Sequence, residues 1–238
     1  MPLGIITNVS CIVVGGIIGY IIQRHIPARI INALSSVFGI ASLVIGISLI
    51  TKFNSLPAVI MALLLGTIIG ELLHLEEKLA AFSQAAKNKV ESFFGTGKDE
   101  DEDEYIEKFI NLLLLFCTGA TGILGALIEG MTGDRTILYA KSVLDFFTAG
   151  IFAASMGILV IFIALPQLLT FLSLFFLAGF ILPLTTPALI ADFTGCGGVI
   201  ALMTGIRMLE IRSFRVTNVL PALFVVMPVS FLWLHVFG

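Results

Sequence analysis

FCTGATGILGALIEGMTGDRT, residues 116 to 136, places Gly119, Gly122, Gly125, Gly130 and Gly133 and the carboxylate of Glu129 inside a stretch whose hydropathy otherwise suits a membrane helix. Lipid offers no hydrogen-bond partners, so loosened backbone at membrane depth is tolerated only where it is buried in protein or faces a cavity. The rest of the chain supplies the setting. Its 238 residues are 58% hydrophobic and 12% charged, with a mean hydropathy of +1.09; a soluble domain carries about a quarter charged residues. Apolar stretches recur at about 20 residues each, the length that lets a helix cross about 30 Å of hydrocarbon. They do not alternate in polarity as barrel strands do. The expected fold class is all-α, a polytopic membrane helical bundle.

Eight spans are expected, at about 3–22, 30–51, 56–75, 107–131, 138–164, 167–186, 193–209 and 217–237. The fifth and sixth are expected to meet at Leu165-Pro166-Gln167, because proline stops one helix and can begin another. Ahead of the first span there is neither a basic region nor a small-residue cleavage site, the pattern of a retained span rather than a signal peptide. Basic residues prefer the cytoplasmic side. With an external amino terminus, the inner side collects Arg24, Arg29, Lys78, Lys87, Lys89, Lys98, Lys108, Arg207, Arg212 and Arg215, against Lys52, Arg135 and Lys141 outside. A multi-pass protein is therefore expected, with both termini external and Trp233 and His235 near the outer interface.

The expected organisation is a first membrane repeat over 1–75, a cytoplasmic segment over 76–106, a second and inverted repeat over 107–186, and a two-span unit over 187–238. In the cytoplasmic segment Leu75, Leu79, Phe82, Ala86, Val90 and Phe93 recur at helical spacing opposite Lys78, Lys87 and Lys89, which suits an amphipathic surface helix. An acidic run from Asp99 to Glu104 follows as a solvated linker. The repeats are signalled by two register shifts. A shift of 111 places Gly19, Gly39 and Gly46 on Gly130, Gly150 and Gly157. A shift of 186 places Gly19, Arg29, Asn32 and Leu34 on Gly205, Arg215, Asn218 and Leu220. Inverted repeats of this kind recur in secondary transporters, whose binding sites lie near mid-membrane; convergent packing of glycine-rich helices is the alternative.

Two dense stretches, Cys117-Thr118-Gly119-Ala120-Thr121-Gly122 and Thr194-Gly195-Cys196-Gly197-Gly198, are candidates for local unwinding. Freed amides and carbonyls there would hold an ion or substrate; close helix packing is the competing explanation. Among charged residues, Glu129 and Asp134 fall toward the outer end of span four, while Lys141 and Asp145 are four apart and can pair along one helix face. Asp145 lies deeper. Asp192 is expected to precede and cap span seven. The substrate- or ion-binding candidates are thus Thr118, Gly119, Thr121, Gly122, Glu129, Asp145, Thr194, Gly195 and Gly197.

The chain has no P-loop, no H-E-x-x-H, no G-x-S-x-G and no nucleotide fingerprint. No enzymatic activity, cofactor or nucleic-acid partner is expected, and Cys11, Cys117 and Cys196 form no metal-ligand spacing.

Opening Pro2-Leu3-Gly4 with Asn8, the Gly15-Gly16 helix ending in Arg24 and Pro27, and Gly66 to Glu71 followed by Glu76 belong to a larger pattern. It continues through Phe116-Cys117, Gly122 to Leu127, Gly130 to Asp134, Lys141-Ser142, Leu144-Asp145, and Arg215-Val216 with Asn218, Leu220, Pro221 and Ala222. On these residues the chain resembles the YqgA/YdfK-type bacterial membrane proteins over nearly its whole length. That resemblance implies a transport protein of the bacterial cytoplasmic (inner) membrane whose substrate is not established. It also implies a glycine and a proline after the cysteine of span four, where this chain has Thr118, Gly119 and Ala120.

The expected function is a secondary transporter or channel for a small solute or ion, embedded in the bilayer, with small-residue faces that permit a homodimer. The alternative is a non-transporting membrane scaffold or sensor acting through residues 76–106.

Overall fold

A computed structural model describes residues 1–22, 28–81, 85, 109, 112–113, 116–117 and 119–237. Thr118, the acidic run from Asp99 to Glu104, and Phe82, Ala86, Lys87, Lys89, Val90 and Phe93 of the expected surface helix lie outside the described residues. Every regular element among the described residues is helical: α1 (Leu3–Ile22), α2 (Ala28–Ile50), α3 (Leu56–Leu72), α4 (Leu75–Ala81), α5 (Ala120–Thr132), α6 (Thr136–Met156), α7 (Ala164–Ile181), α8 (Pro187–Met208), α9 (Val216–Val219) and α10 (Ala222–Phe237). Five stretches are long and apolar enough to cross a membrane: Leu3–Ile22, Thr136–Met156, Ile158–Leu184, Pro187–Met208 and Val216–Phe237. A sixth arises if α3 and α4, bent by 44°, count as one. Large apolar side chains such as Leu64 (59% exposed) and Phe180 (80%) face outward, as lipid contact requires.

The chain divides into two compact units that interleave in sequence. The first draws on Met1–Pro27, Glu77–Glu129 and Asp134–Phe175, the second on Ala28–Glu76, Gly130–Gly133 and Phe176–Gly238.

In the first unit α1 lies against α6 with the two backbones touching. A Cβ added at Gly15 would stand 2.2 Å from the Phe146 carbonyl oxygen, and one at Gly19 2.0 Å from that of Gly150. Both numbers rise together, so the helices run parallel. Ile12, Phe116, Ala149, Ala153, Val160 and Ile163 form one buried cluster of this unit, and Ile5, Ala126, Leu138 and Phe171 another.

In the second unit Gly39 faces the Gly205 backbone and Gly46 that of Gly198, so α2 and α8 run antiparallel. Gly66 and Gly70 of α3 likewise meet Ala222 and Asn218. The glycines that the register shifts align are not each other's partners: Gly19 meets Gly150, and Gly39 meets Gly205. Close approach of the helices is reason enough for glycine at all four positions.

Three sequence expectations are corrected. The break between the fifth and sixth spans lies at Gly157, not at Leu165-Pro166-Gln167. Gly157 adopts φ +85°, a region that disfavours side chains, and the 3₁₀ turns Ile158–Ile163 lead straight into α7. Pro166 sits in the first turn of α7, where the fixed φ of proline is compatible with the helix. Second, Asp192 does not precede span seven; α8 starts at Pro187, capped by the Thr186 hydroxyl accepting from the Leu189 amide at 3.4 Å. Third, α8 runs unbroken through Thr194-Gly195-Cys196-Gly197-Gly198. Its glycines are spent on close approach instead, Gly198 to the Gly46 and Ile50 backbone and Gly195 to Phe53.

Candidate functional site

α1 and α6 are pressed together by glycine, which brings single polar residues of each helix within reach. Asp145 of α6 is buried. Lys141, one turn earlier on the same helix, donates from Nζ to both of its carboxylate oxygens at 2.8 Å. Asn8 of α1, fully buried, donates from Nδ2 to Asp145 Oδ2 at 2.8 Å. Gln167 of α7, also fully buried, donates from Nε2 to Asn8 Oδ1 at 2.5 Å and to Asp145 Oδ2 at 3.3 Å. These two acceptors fix the orientation of the Gln167 amide, because its oxygen turned toward them would meet only lone pairs. Its Oε1 is left buried and without a partner.

Gly122 of α5 completes the arrangement. A Cβ there would stand 2.8 Å from Lys141 Cε and 2.4 Å from the Phe171 ring, so glycine makes room for the lysine stem. The Phe116 ring lies 5.6 Å from Lys141 Nζ, within cation–π range. The result is one cation and one anion in apolar surroundings, bridged by two amides. An isolated charge in such a place is costly, whereas a paired and hydrogen-bonded one persists and commonly marks an ion or substrate path.

Glu129 plays a different part. It is 2% exposed and accepts the Gly4 and Ile5 amides at 2.8 and 3.2 Å and Arg135 Nε at 3.2 Å. A carboxylate there satisfies free amides at the amino end of α1 and faces the positive end of its dipole. Asp192 does the same in the second unit, accepting from the Asn54 and Ser55 amides ahead of α3 at 2.7 and 2.6 Å, and from the Ser230 hydroxyl.

Of the remaining candidates, Gly119 is non-helical and its carbonyl accepts from the Gly122 and Ile123 amides, opening α5. Thr121 is half-buried on α5, and Thr118 is not among the described residues. Thr194, Gly195 and Gly197 belong to the second unit; Thr194 is buried and bonds the Ile190 carbonyl of its own helix at 2.7 Å. The structure therefore brings Gly122 and Asp145 together through Lys141. Sequence reasoning weighed neither Asn8 nor Gln167 as a site residue, although each is a lone amide in an apolar helix, the pattern that should have drawn attention. Among the described residues no three His, Cys, Asp or Glu side chains cluster to hold a metal, and the three cysteines are free thiols.

A family model described as "Protein of unknown function (DUF554)" matches residues 3–231. The chain is 45% identical over 233 residues to "Uncharacterized protein YqgA" of Escherichia coli (strain K12), covering 98% of each. It is 28% identical over 239 residues to "Uncharacterized membrane protein YdfK" of Bacillus subtilis (strain 168), covering 99% of this chain and 98% of that one. No solved structure matches. With nearly every residue of the chain inside the match, this multi-pass helical membrane protein belongs to the DUF554 family.

Proposed function

We propose that the protein is a secondary transporter or channel for a small solute or ion in the bacterial inner membrane, and that the Asn8–Lys141–Asp145–Gln167 cluster is its binding site. The observation that carries this reading is the buried Lys141–Asp145 pair with both amides turned onto it. Charge is retained inside membrane helices chiefly where it serves a path. Gly119, Thr121 and Gly122 line the approach in this reading, and Glu129 holds α1 in place.

Eight spans with both termini external remain the proposed topology. The parallel pairing of α1 with α6, and the antiparallel pairings of α2 with α8 and α3 with α10, support that order because they are the directions it demands. The division into membrane segments 1–75, 107–186 and 187–238 and the homodimer are parts of the same proposal.

Flux screening in proteoliposomes over inorganic ions and small organic acids tests the reading. Wild-type flux is expected for at least one solute, with loss in Asp145→Asn and in Lys141→Met. Flux unchanged in both variants would refute the site. No flux for any solute would favour a scaffold or sensor acting through residues 76–106.

A further inference from the structure

Residues Glu71 to Ala81 read Glu-Leu-Leu-His-Leu-Glu-Glu-Lys-Leu-Ala-Ala, with neither glycine nor proline, and by propensity such a run continues α3 without a break. The chain nonetheless bends by 44° between α3 and α4. The bend is made at His74, whose φ of +51° lies in the left-handed region that is costly for a residue with a side chain. Where local propensity and the observed backbone disagree, contacts from outside the helix must hold the departure.

The connection from α8 to α9 supplies those contacts, and it grips both sides of His74. Before the bend, Glu71 Oε2 accepts from Arg215 at 3.3 Å. Beyond it, Glu76 and α9 exchange bonds. The Glu76 amide donates to Asn218 Oδ1 at 2.7 Å, and Glu76 Oε2 accepts from the Thr217 amide at 3.1 Å. Arg207 donates to Glu76 Oε1 at 2.7 Å and to the Phe214 carbonyl at 3.1 Å. In an uninterrupted helix the Glu76 amide would donate to the Leu72 carbonyl, four residues back. The buried side chain of Asn218 stands in for that carbonyl. The same amide is therefore satisfied whether the chain is bent or straight.

We propose that His74 is a hinge with two positions, a bent one latched by Glu76 and a straight one in which α3 and α4 form a single helix from Leu56 to Ala81. Residues 71 and 76, five apart, would then differ by about 140° around the helix axis. The Arg215–Glu71 pair can persist in that position, whereas Glu76 must turn away from Thr217 and Arg207. Straightening relaxes the left-handed backbone at His74 and closes the helical ladder. It gives up the Thr217 bond and an ion pair whose arginine side chain is 48% exposed, the kind worth little in water. Terms so small and of opposite sign are what make an element bistable. A hinge of this kind requires no transported solute.

Electron–electron double resonance on the full-length protein in lipid tests it. Alanine replaces Cys11, Cys117 and Cys196, and spin labels are attached at Ala81→Cys, the tip of α4, and at Phe224→Cys, an exposed position of α10. Ala81 lies seven residues beyond His74, about 10 Å along the helix, so straightening through 44° carries it sideways by about 7 Å. With the clasp intact one main distance is expected. Glu76→Ala should raise the share of a second distance, displaced by several ångströms, about tenfold relative to the first. His74→Ala leaves the clasp bonds in place and should act in the same direction, because alanine favours helix and resists left-handed backbone. Adding His74→Gly to Glu76→Ala should restore the first distance, since glycine adopts positive φ freely. An unchanged single distance in both Glu76→Ala and His74→Ala would overturn the hinge. So would a broad distribution lacking both distances, the sign of a melted α4, or failure of His74→Gly to bring back the bend.

Discussion

Lys141 and Asp145 stand one helical turn apart on α6, and the lysine Nζ lies 2.8 Å from each carboxylate oxygen, with both side chains shielded from solvent. Spacing of four residues lets the pair form within one helix. Neighbouring helices then decide what the pair can do: the glycine contact at Gly15 and Gly19 brings up Asn8, and α7 brings up Gln167.

Removing one partner of this pair should cost far more than removing both. Lys141→Met leaves a buried carboxylate with no cation beside it and is expected to lower stability by about 3–5 kcal/mol. Lys141→Met combined with Asp145→Asn should recover most of that loss. Denaturant unfolding in mild detergent measures both, and additive losses would show that the two groups do not depend on each other.

Helix contacts made through backbone should resist even one added methyl. Gly19→Ala would place Cβ 2.0 Å from the Gly150 carbonyl oxygen, and Gly70→Ala 1.9 Å from that of Asn218. Each is expected to cost about 1–3 kcal/mol or more, since a backbone carbonyl cannot rotate away. Gly179→Ala, with nothing within 4 Å, should be neutral or gain up to about 1 kcal/mol from helix propensity. Thermal unfolding of the three variants side by side would separate packing from propensity.

Glu129 anchors the amino end of α1. Glu129→Gln keeps the shape but removes the charge and half of the acceptor capacity, at an expected cost of about 1–3 kcal/mol. Hydrogen exchange at the Gly4 and Ile5 amides reports it directly, because those two donate to Glu129. Unaltered protection at both would show that α1 is held by packing alone.

Acid should loosen the contact between α4 and α9. Glu76, just beyond the third span, is raised by partial burial, but hydrogen bonds from Thr217 and Arg207 and the Arg207 charge outweigh this and hold it below its ordinary value of 4.5. A lowered carboxyl stabilises the fold in full above its unfolded value, and that contribution drains away as pH falls through the folded value. Between neutrality and the ordinary glutamate value the contact should therefore hold, and below it the Thr217 amide, which donates to Glu76 Oε2 at 3.1 Å, should lose protection after correction for intrinsic exchange. Glu76→Gln should flatten that acid dependence.

Much of the second unit's packing was visible in the spacing of its glycines, because close approach of two helices demands small residues wherever the partner lies. What the spacing could not convey was the partner. Gly39 aligned with Gly150 by register, yet it meets Gly205. The glycine stretch at Thr194 to Gly198 had the composition of an unwound segment, and its surroundings hold it as regular helix. Composition measures how readily a backbone can open; packing decides whether it does.

By itself the sequence determined the medium and the element type. A mean hydropathy of +1.09 cannot be reconciled with water, and lipid leaves a chain of long apolar stretches little choice but helices that satisfy their own backbones. It also determined the Lys141–Asp145 pair, which lies within one helix. Only the tertiary structure decided that Asn8 and Gln167 join that pair, that Glu129 and Asp192 cap helices far from them in sequence, and that the fifth span ends at Gly157. The physical reason is range. Hydropathy and helical periodicity act over one or two turns, whereas a buried polar contact depends on which helices touch and at what register, and that is settled by the packing of the whole unit.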